Sequence, residues 1–407
     1  MLPPCLAATF TDVTSERGTV ERGLAPLYLA GFTTAFGAHG VATVLGSETD
    51  DIGLTLLGLG AVLALYDVAE VILKPVFGAL SDRIGAKPVI VGGLVAFMVA
   101  SLSALIDPTP LALALARLGQ GASASAFSPA SSAAVARLAG RERLGRYFGR
   151  YGAWKSLGYV LGPVIGVALV ELAGLRGLYL ALAALAAIAA VWVLVAMPSL
   201  PVVPRPRYTL ADLVRQTTER GFLVPVALLA TATGVLGVAV GFLPLLAGRL
   251  ELSPWAGAAT VATLALVSAV VQPAVGAQRD RGRITTRAGS TAGLVIAAAA
   301  LGLLAWVPST GMLFGAAAAF GFMVGTVTPL AFAHRAAHTP DDRMGRTMGN
   351  AEVGRELGDA GGPLFVGALA TWWTLPLALG GLAAISLATG LTSWWTLRTR
   401  PARLNTE

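Results

Sequence analysis

Two stretches of the sequence carry charged side chains at helical spacing within strongly apolar surroundings. In the first, Asp67, Glu70 and Lys74 follow the spacing i, i+3, i+7, which places them on one face of a helix. The second stretch carries four such residues on one face: Glu352, Arg355, Glu356 and Asp359. Carboxyl groups held away from water take up protons more readily than carboxyl groups in solution. These side chains are therefore candidates for proton transfer, for ion pairing, or for both.

The composition indicates that these residues lie in a membrane. Of the 407 residues, 55% are apolar and only 13% are charged, and the mean hydropathy is +0.73. A soluble domain needs more charge to cover its surface, and a disordered chain rich in Gly and Pro is polar. The net charge of +7 does not indicate nucleic-acid binding, because the basic residues lie in short connections between apolar runs.

Twelve apolar segments are long enough to cross a bilayer, and each is predicted to be a helix. We number them as spans one to twelve: 24–46, 52–80, 88–107, 111–138, 147–172, 176–197, 222–247, 254–278, 288–307, 310–334, 348–371 and 374–396. Of the 29 Lys and Arg residues, 23 fall on one side of this pattern and only Arg176 and Arg249 on the other. This bias predicts a multi-pass plasma (inner) membrane protein with both termini in the cytoplasm.

The predicted organisation is two six-helix bundles, 24–197 and 222–397, between cytoplasmic tails 1–23 and 398–407. The linker 198–221 begins with a Pro-rich stretch and is predicted to end in a short amphipathic helix on the membrane surface. An internal repeat supports the division, because an offset of 200 residues pairs Gly158 with Gly358, Gly162 with Gly362 and Pro163 with Pro363, among others. Two halves related by an axis along the membrane normal imply a substrate path between them.

The connection after span two carries a recognisable motif formed by Gly78, Asp82, Arg83, Gly85 and Lys87. It resembles the Gly-x-x-x-Asp-Arg-x-Gly-x-Arg/Lys signature of the major facilitator superfamily. A weaker copy, with Asp280 and Arg281, follows span eight, where that family carries its second one. The resemblance implies an all-α integral membrane protein with twelve transmembrane helices in two pseudo-symmetric bundles.

The resemblance also implies a conformational latch in each motif. Asp82 is expected to meet the start of span eleven and Asp280 the start of span five, where each carboxylate can accept hydrogen bonds from exposed backbone amides. These latches would hold the inner side shut. The alternative is that Arg83 and Lys87 only anchor the topology.

Two further stretches are similar to family motifs. In span four, Arg117 and Gln120 resemble an Arg-x-x-Gln-Gly element proposed to assist proton transfer, although an arginine reaching outward to water is the alternative. In span five, the small-residue pattern resembles a motif associated with drug–proton antiporters and allows close helix crossing. Its members are Gly158, Gly162, Pro163 and Gly166.

Under the family fold, spans two and eleven pack against each other, so the two charged stretches meet. We predict that Lys74 pairs with Glu352 or Glu356 and that Arg355 pairs with Glu70. Asp67, Glu70 and Asp359, assisted by Arg117, are then the proton-coupling candidates. The alternative is a static hinge that only sets the conformational balance.

The substrate cavity is expected between spans one, four, seven and ten. Its candidate lining residues, chosen by span and residue type, are Phe32, Phe36, His39, Phe127, Phe242, Phe320 and Phe322. These aromatic side chains also suit packing or contact with lipid, and His39 suits a hydrogen-bonded packing role. His334 and His338 lack further ligands, so no metal site is expected.

Three classes of function remain open at this stage. The first is a proton-coupled exporter of small apolar or cationic compounds, a monomer that uses the proton gradient and no cofactor. The second is a proton-linked importer of a sugar or organic acid; the scarcity of amides, with Asn350 and Asn405 the only asparagines, counts against it. The third is a membrane enzyme or sensor, for which no catalytic motif was found.

Overall fold

The computed structural model describes residues 4–47, 56–106, 109–202 and 220–397, and within these ranges every regular element is helical. Spans one to four are the helices Pro4–Ser47, Leu56–Ile84, Ala86–Ser103 and Pro110–Ala139, and spans five and six together form Leu144–Ala196. Spans seven to twelve are Arg220–Arg249, Pro254–Asp280, Thr286–Trp306, Thr310–Ala337, Met344–Trp372 and Leu375–Thr396, with a single 3₁₀ turn, Asp341–Arg343, before span eleven.

Spans five and six are joined without a loop. The helix Leu144–Ala196 is interrupted only at Gly174, which has φ 66° and ψ −174°, a backbone conformation that favours glycine. Span six ends beside the start of span three, where Lys87 donates a hydrogen bond to the carbonyl oxygen of Met197 at 2.7 Å. The break at Gly174 therefore separates an outgoing helix from a returning one, and the eleven long helices of the described ranges supply twelve spans.

The first helix is longer than its apolar segment. It begins at Pro4, so much of the predicted tail 1–23 continues span one. The charged residues of that region end the apolar run without breaking the helix, and Glu21 pairs with Arg150 of span five at 2.7 Å. The amphipathic helix predicted in the linker lies outside the described residues.

Seven helices of the described ranges are, by length and composition alone, apolar enough to cross a membrane. Spans one, two, four and eleven fall outside that group. Most of the polar side chains of spans two, four and eleven, such as Lys74, Ser128 and Glu352, are buried inside the molecule. Large apolar side chains such as Ile72 and Val195 instead face outward, as expected of helices in lipid.

The two bundles repeat the same close helix contacts. In the first bundle, a Cβ atom at Gly162 would lie 3.1 Å from the Gly40 nitrogen, so spans five and one meet backbone to backbone. In the second, Gly362 lies in the same way against Gly234 of span seven. Small residues at such crossings let helices approach closely in a membrane.

The bundles meet each other through a second pair of equivalent contacts. Gly78 of span two lies against the Gly345 backbone of span eleven, and Gly145 of span five against the Gly276 backbone of span eight. Both contacts are at the end of the molecule that carries the motif connections after spans two and eight. We call this the basic end.

Candidate functional site

A cavity of about 510 Å³ lies between the two halves. Spans one, two, four and five line it from the first half, and spans seven and eleven from the second. Asp67 of span two and Asp359 of span eleven both line it, so each half contributes one acidic side chain. Glu70, one turn from Asp67, reaches the same cavity but is buried. The three proton-coupling carboxyls chosen from the sequence are thus brought together.

Six ionisable side chains form a buried group beside this cavity, which we call the charge cluster. Its members come from spans two, five and eleven and are Glu70, Lys74, Lys155, Glu352, Arg355 and Glu356. Three carry positive charge and three carry negative charge when all are ionised. Buried charges in a membrane protein are costly unless they are paired, and here each cation has at least one carboxylate within 4 Å.

Lys74 lies at the centre of the carboxylates. Its Nζ is 2.6 Å from Glu356, 3.2 Å from Glu70 and 3.8 Å from Glu352. Lys74 belongs to the first half, and both Glu352 and Glu356 belong to the second. The lysine therefore links the halves, and both alternatives predicted for its partner are present.

Arg355 has different partners from those predicted. Its guanidinium lies 2.9 Å from Glu356 and 3.4 Å from Glu352, and its Nη1 donates a hydrogen bond to the Tyr159 hydroxyl at 2.7 Å. The predicted pair with Glu70 was wrong. Lys74 lies one turn from Glu70 on the same helix and pairs with it, while Arg355 extends toward span five.

Lys155 is a member of the cluster that sequence reasoning missed. Its Nζ is 3.3 Å from Glu352, a carboxylate that also accepts hydrogen bonds from Ser132 at 3.0 Å and from Ser128 at 3.5 Å. The available signal was that Lys155 is one of the few cations inside an apolar run. No charged residue lies at helical spacing beside it in span five, so no pattern pointed to its partner.

Arg117 lines the cavity and is held by neutral groups. Its Nη1 donates to the Gly37 carbonyl oxygen at 3.3 Å and to Gln120 at 3.4 Å, and its guanidinium lies 4.3 Å from the centre of the Tyr66 ring. A cation over an aromatic face is stabilised by the ring's quadrupole. The arginine is 2% exposed, so it does not extend to the outer surface.

The antiporter-like motif forms the wall beside His39. Gly158 and Gly162 pack against span one, and one turn along this interface the His39 ring lies 4.3 Å from the ring of Tyr159. His39 lines the cavity as predicted, and Tyr159 joins it to Arg355 of the charge cluster.

The phenylalanine candidates do not line this cavity. Phe36, Phe127 and Phe320 are almost fully buried in helix packing, with Phe127 edge-on to Phe97 at 5.9 Å. The others are partly buried elsewhere: Phe32, Phe242 and Phe322. Span ten was also wrongly assigned to the lining. It packs against span five, where Phe332 stacks on Phe148 at 5.6 Å, because the halves are closed together at this level.

Both predicted latch contacts are present at the basic end. Asp82 accepts hydrogen bonds from the backbone amides of Gly345 at 2.6 Å and Arg346 at 2.8 Å, at the start of span eleven. Asp280 accepts the equivalent bonds from Gly145 at 2.8 Å and Arg146 at 2.6 Å, at the start of span five. Each carboxylate thus joins one half to the other.

The remaining residues of the first motif have distinct positions. Gly85 has φ 99°, which favours glycine, at the turn between spans two and three. Lys87 binds the carbonyl oxygen of Met197 at the end of span six, a contact beyond simple topology anchoring. Arg83 and Arg281 are exposed.

Arg137, which lies outside the motif, adds to the first latch. Its guanidinium lies 3.1 Å from Asp82 and donates a hydrogen bond to the Asp341 carbonyl oxygen at 2.7 Å.

Replacing Asp82→Asn is expected to open the basic end. The amide oxygen retains one acceptor atom for two backbone amides and loses the charge that binds Arg137, a cost of about 1–3 kcal/mol to the closed arrangement. Spin labels at Ile84→Cys and Arg283→Cys, in a Cys5→Ser background, report the separation of the two halves by pulsed electron resonance. We expect the distance distribution to shift to longer values.

The matched control for this measurement is Glu142→Gln, which neutralises an exposed carboxylate at the same end. It should leave the distance unchanged. An unchanged distance in the Asp82→Asn protein would contradict the latch role.

The two histidines near the end of span ten lie against each other. Their rings are 4.3 Å apart, and the His338 Nδ1 lies 2.8 Å from the carbonyl oxygen of His334. Within the described ranges, no group of three or more His, Cys, Asp or Glu side chains has the arrangement of a metal site.

Comparison with known proteins places this architecture in a family. The family model of the Major Facilitator Superfamily matches residues 27–307 and 282–407. The quinolone resistance protein NorA of Staphylococcus aureus is 30% identical over 147 residues, which cover 36% of this chain and 38% of NorA. The chain thus matches about two fifths of the length of its curated relatives.

Two solved structures share the fold over nearly the whole chain. The human organic anion transporter MFSD10 has a TM-score of 0.73 at 19% identity, covering 96% of this chain and 100% of that one. The E. coli fucose:proton symporter FucP has a TM-score of 0.71 at 14% identity, covering 92% and 98%. Since the family model matches most of the sequence, this chain belongs to the Major Facilitator Superfamily.

Proposed function

We propose that this protein is a secondary active transporter that exports small apolar or cationic compounds in exchange for protons, by alternating access. In this proposal it lies in the plasma membrane with both termini in the cytoplasm. The basic end is then the cytoplasmic end, and the structure corresponds to the state in which that end is shut.

One observation carries the proposal: Asp67 and Asp359 face the same cavity from opposite halves. Carboxyls at such a site can bind either protons or a cationic compound, so the two ligands compete. Competition at one site that is exposed alternately to the two sides of the membrane gives exchange transport, provided that the empty site does not change sides. The charge cluster beside the cavity couples occupancy to the packing of the halves, because Lys74 of one half binds carboxylates of the other.

The lining of the cavity favours cations. Four carboxyl side chains line it against two arginines, and the rest of its surface is mostly apolar or aromatic. Within the described lining there is no amide side chain, the group that commonly recognises sugar hydroxyls. The name of the relative NorA, a quinolone resistance protein, also agrees with export.

Import of a sugar or organic acid with protons is the second candidate, and the shared fold of the fucose:proton symporter FucP supports it. The two candidates make opposite predictions about direction. An exporter accumulates its substrate on the acidic side of a membrane, and a symporter accumulates its substrate on the alkaline side.

Reconstituted vesicles with a fluorescent lipophilic cation test both candidates. An imposed pH gradient, acidic inside, should drive uptake of the cation, and a protonophore should abolish it. Labelled sugars and organic acids under both gradient directions form the comparison. Cation uptake that survives collapse of the gradient, or accumulation of a sugar or acid on the alkaline side, would contradict proton-coupled export.

A further inference from the structure

A second cavity, of about 1090 Å³, lies at the basic end between the start of span five and the end of span eight. We call it the arginine groove. Four arginines and two carboxylates form its charged upper part, and apolar residues of span eight form its floor. The charged residues are Glu142, Arg143, Arg146, Arg150, Asp280 and Arg281, and the floor residues are Val270, Pro273, Ala274 and Ala277.

Helical spacing on both sides creates this groove. Arg146 and Arg150 lie one turn apart on one face at the start of span five, and Arg143 is the residue immediately before that helix. The floor residues share one face of span eight in the same way. The two faces are held side by side because the Gly145 and Gly276 backbones meet directly. The groove therefore contains residues of both halves.

The groove has more guanidinium groups than carboxylates to bind them. Asp280 already accepts two backbone hydrogen bonds from span five. Arg146 and Arg150 share Glu21, at 3.8 Å and 2.7 Å, and this carboxylate is about half exposed (46%). Within the described residues, Arg143 and Arg281 have no carboxylate partner. Guanidinium groups arranged in this way bind phosphate oxygens strongly, often with two parallel hydrogen bonds.

The apolar floor indicates which kind of phosphate-bearing ligand fits the groove. Val270 is 65% exposed and lies eleven residues before Arg281, which corresponds to roughly 16 Å along the helix. The groove thus runs from the charged membrane surface into the hydrocarbon layer. A free phosphate would use only the upper part, whereas a phospholipid would fill both parts. A lipid that adds an ammonium group would oppose the arginine excess, so a net anionic lipid fits better.

We propose that the arginine groove binds an anionic phospholipid, with its phosphate between Arg143 and Arg281 and an acyl chain along the face of span eight that carries Val270. This site is separate from the transport cavity and does not depend on the direction or energy source of transport. The bound lipid contacts both halves at the point where Asp280 joins them.

Native mass spectrometry of the purified full-length protein tests the proposal. Phosphatidylglycerol and phosphatidylcholine with identical acyl chains are added in turn, and bound lipid is counted on the intact protein. We expect the wild-type protein to retain phosphatidylglycerol in preference. The double variant Arg143→Gln/Arg281→Gln should lose that binding by roughly tenfold or more, since each basic residue at the surface contributes separately.

Arg283→Gln is the matched control, because it removes an exposed arginine two residues from Arg281 that does not line the groove. It should bind phosphatidylglycerol like the wild type. Val270→Gln, which places a polar group on the floor, should weaken binding of the long-chain lipid. Equal melting temperatures of all variants in phosphatidylcholine show that the fold is intact.

Three results would overturn the proposal. The first is that the double variant binds phosphatidylglycerol as well as the wild type does. The second is that the wild type binds both lipids equally. The third result is that inorganic phosphate displaces the lipid completely while Val270→Gln has no effect, which would assign the groove to a free anion.

Discussion

Asp67→Asn and Asp359→Asn are each expected to reduce pH-driven cation transport to the level of protein-free vesicles. Both side chains line the transport cavity, one from each half, and an amide cannot exchange a proton near neutral pH. The fold should be little affected, because Asp67 is exposed to the cavity, Asp359 is only partly buried, and neither forms an ion pair in the described structure. The measurement is cation uptake into vesicles with a defined pH gradient.

Glu171→Gln is the matched control for this pair, since Glu171 is an exposed carboxylate near the opposite end of span five. It should transport at the wild-type rate. Counterflow, in which labelled cation exchanges with unlabelled cation without a gradient, distinguishes loss of coupling from loss of binding. If both aspartate variants transported normally under the gradient, the assignment of proton coupling to this cavity would be wrong.

Lys74→Met is expected to cause the largest loss of stability of any single substitution in the charge cluster. The change leaves Glu70, Glu352 and Glu356 without the cation that lies between them at 2.6–3.8 Å. Removing one partner of a buried ion pair costs about 3–5 kcal/mol, because the remaining charge is left uncompensated. The free energy of unfolding in detergent micelles measures the loss.

The double variant Lys74→Met/Glu70→Gln should recover part of this loss, because the remaining carboxylates, Glu352 and Glu356, then face the two cations Lys155 and Arg355. Lys87→Met is the control: it removes the lysine that binds the Met197 carbonyl oxygen at the surface, and its expected cost is about 1 kcal/mol. A Lys74→Met protein as stable as the Lys87→Met protein would contradict the central role of Lys74.

The sequence predicts the fold well because the signals for the fold are residue types and fixed spacings along the chain, which do not require knowledge of side-chain contacts. Apolar runs predict the spans, and fixed glycine offsets such as Gly162 and Gly362 predict the two halves. The motif aspartates could be placed at the starts of spans five and eleven, since the resemblance names their partners. The break at Gly174 also falls within the boundary predicted between spans five and six.

The site is less predictable, because its contacts join residues that are far apart in the sequence. Lys155 has no charged residue at helical spacing in its own helix, so only the packing of three helices reveals that it binds Glu352. The Arg355–Glu70 pair was predicted because the two residues lie at similar depths in the membrane. Depth does not show in which direction a long side chain extends. The prediction that phenylalanines line the cavity was wrong for a related reason. Residue type does not show whether a side chain such as Phe127 faces the cavity or the interior of a bundle.

The balance of charge in the cluster has an electrical consequence. Its three cations and three anions sum to zero, so a transmembrane voltage exerts no net force on the cluster as a whole. A net charge moved across 100 mV would contribute about 2.3 kcal/mol. Under the proposed mechanism, exchanging one univalent cation for one proton would be electroneutral and would respond to the pH difference alone. A neutral cargo exchanged for the same proton would respond to voltage as well.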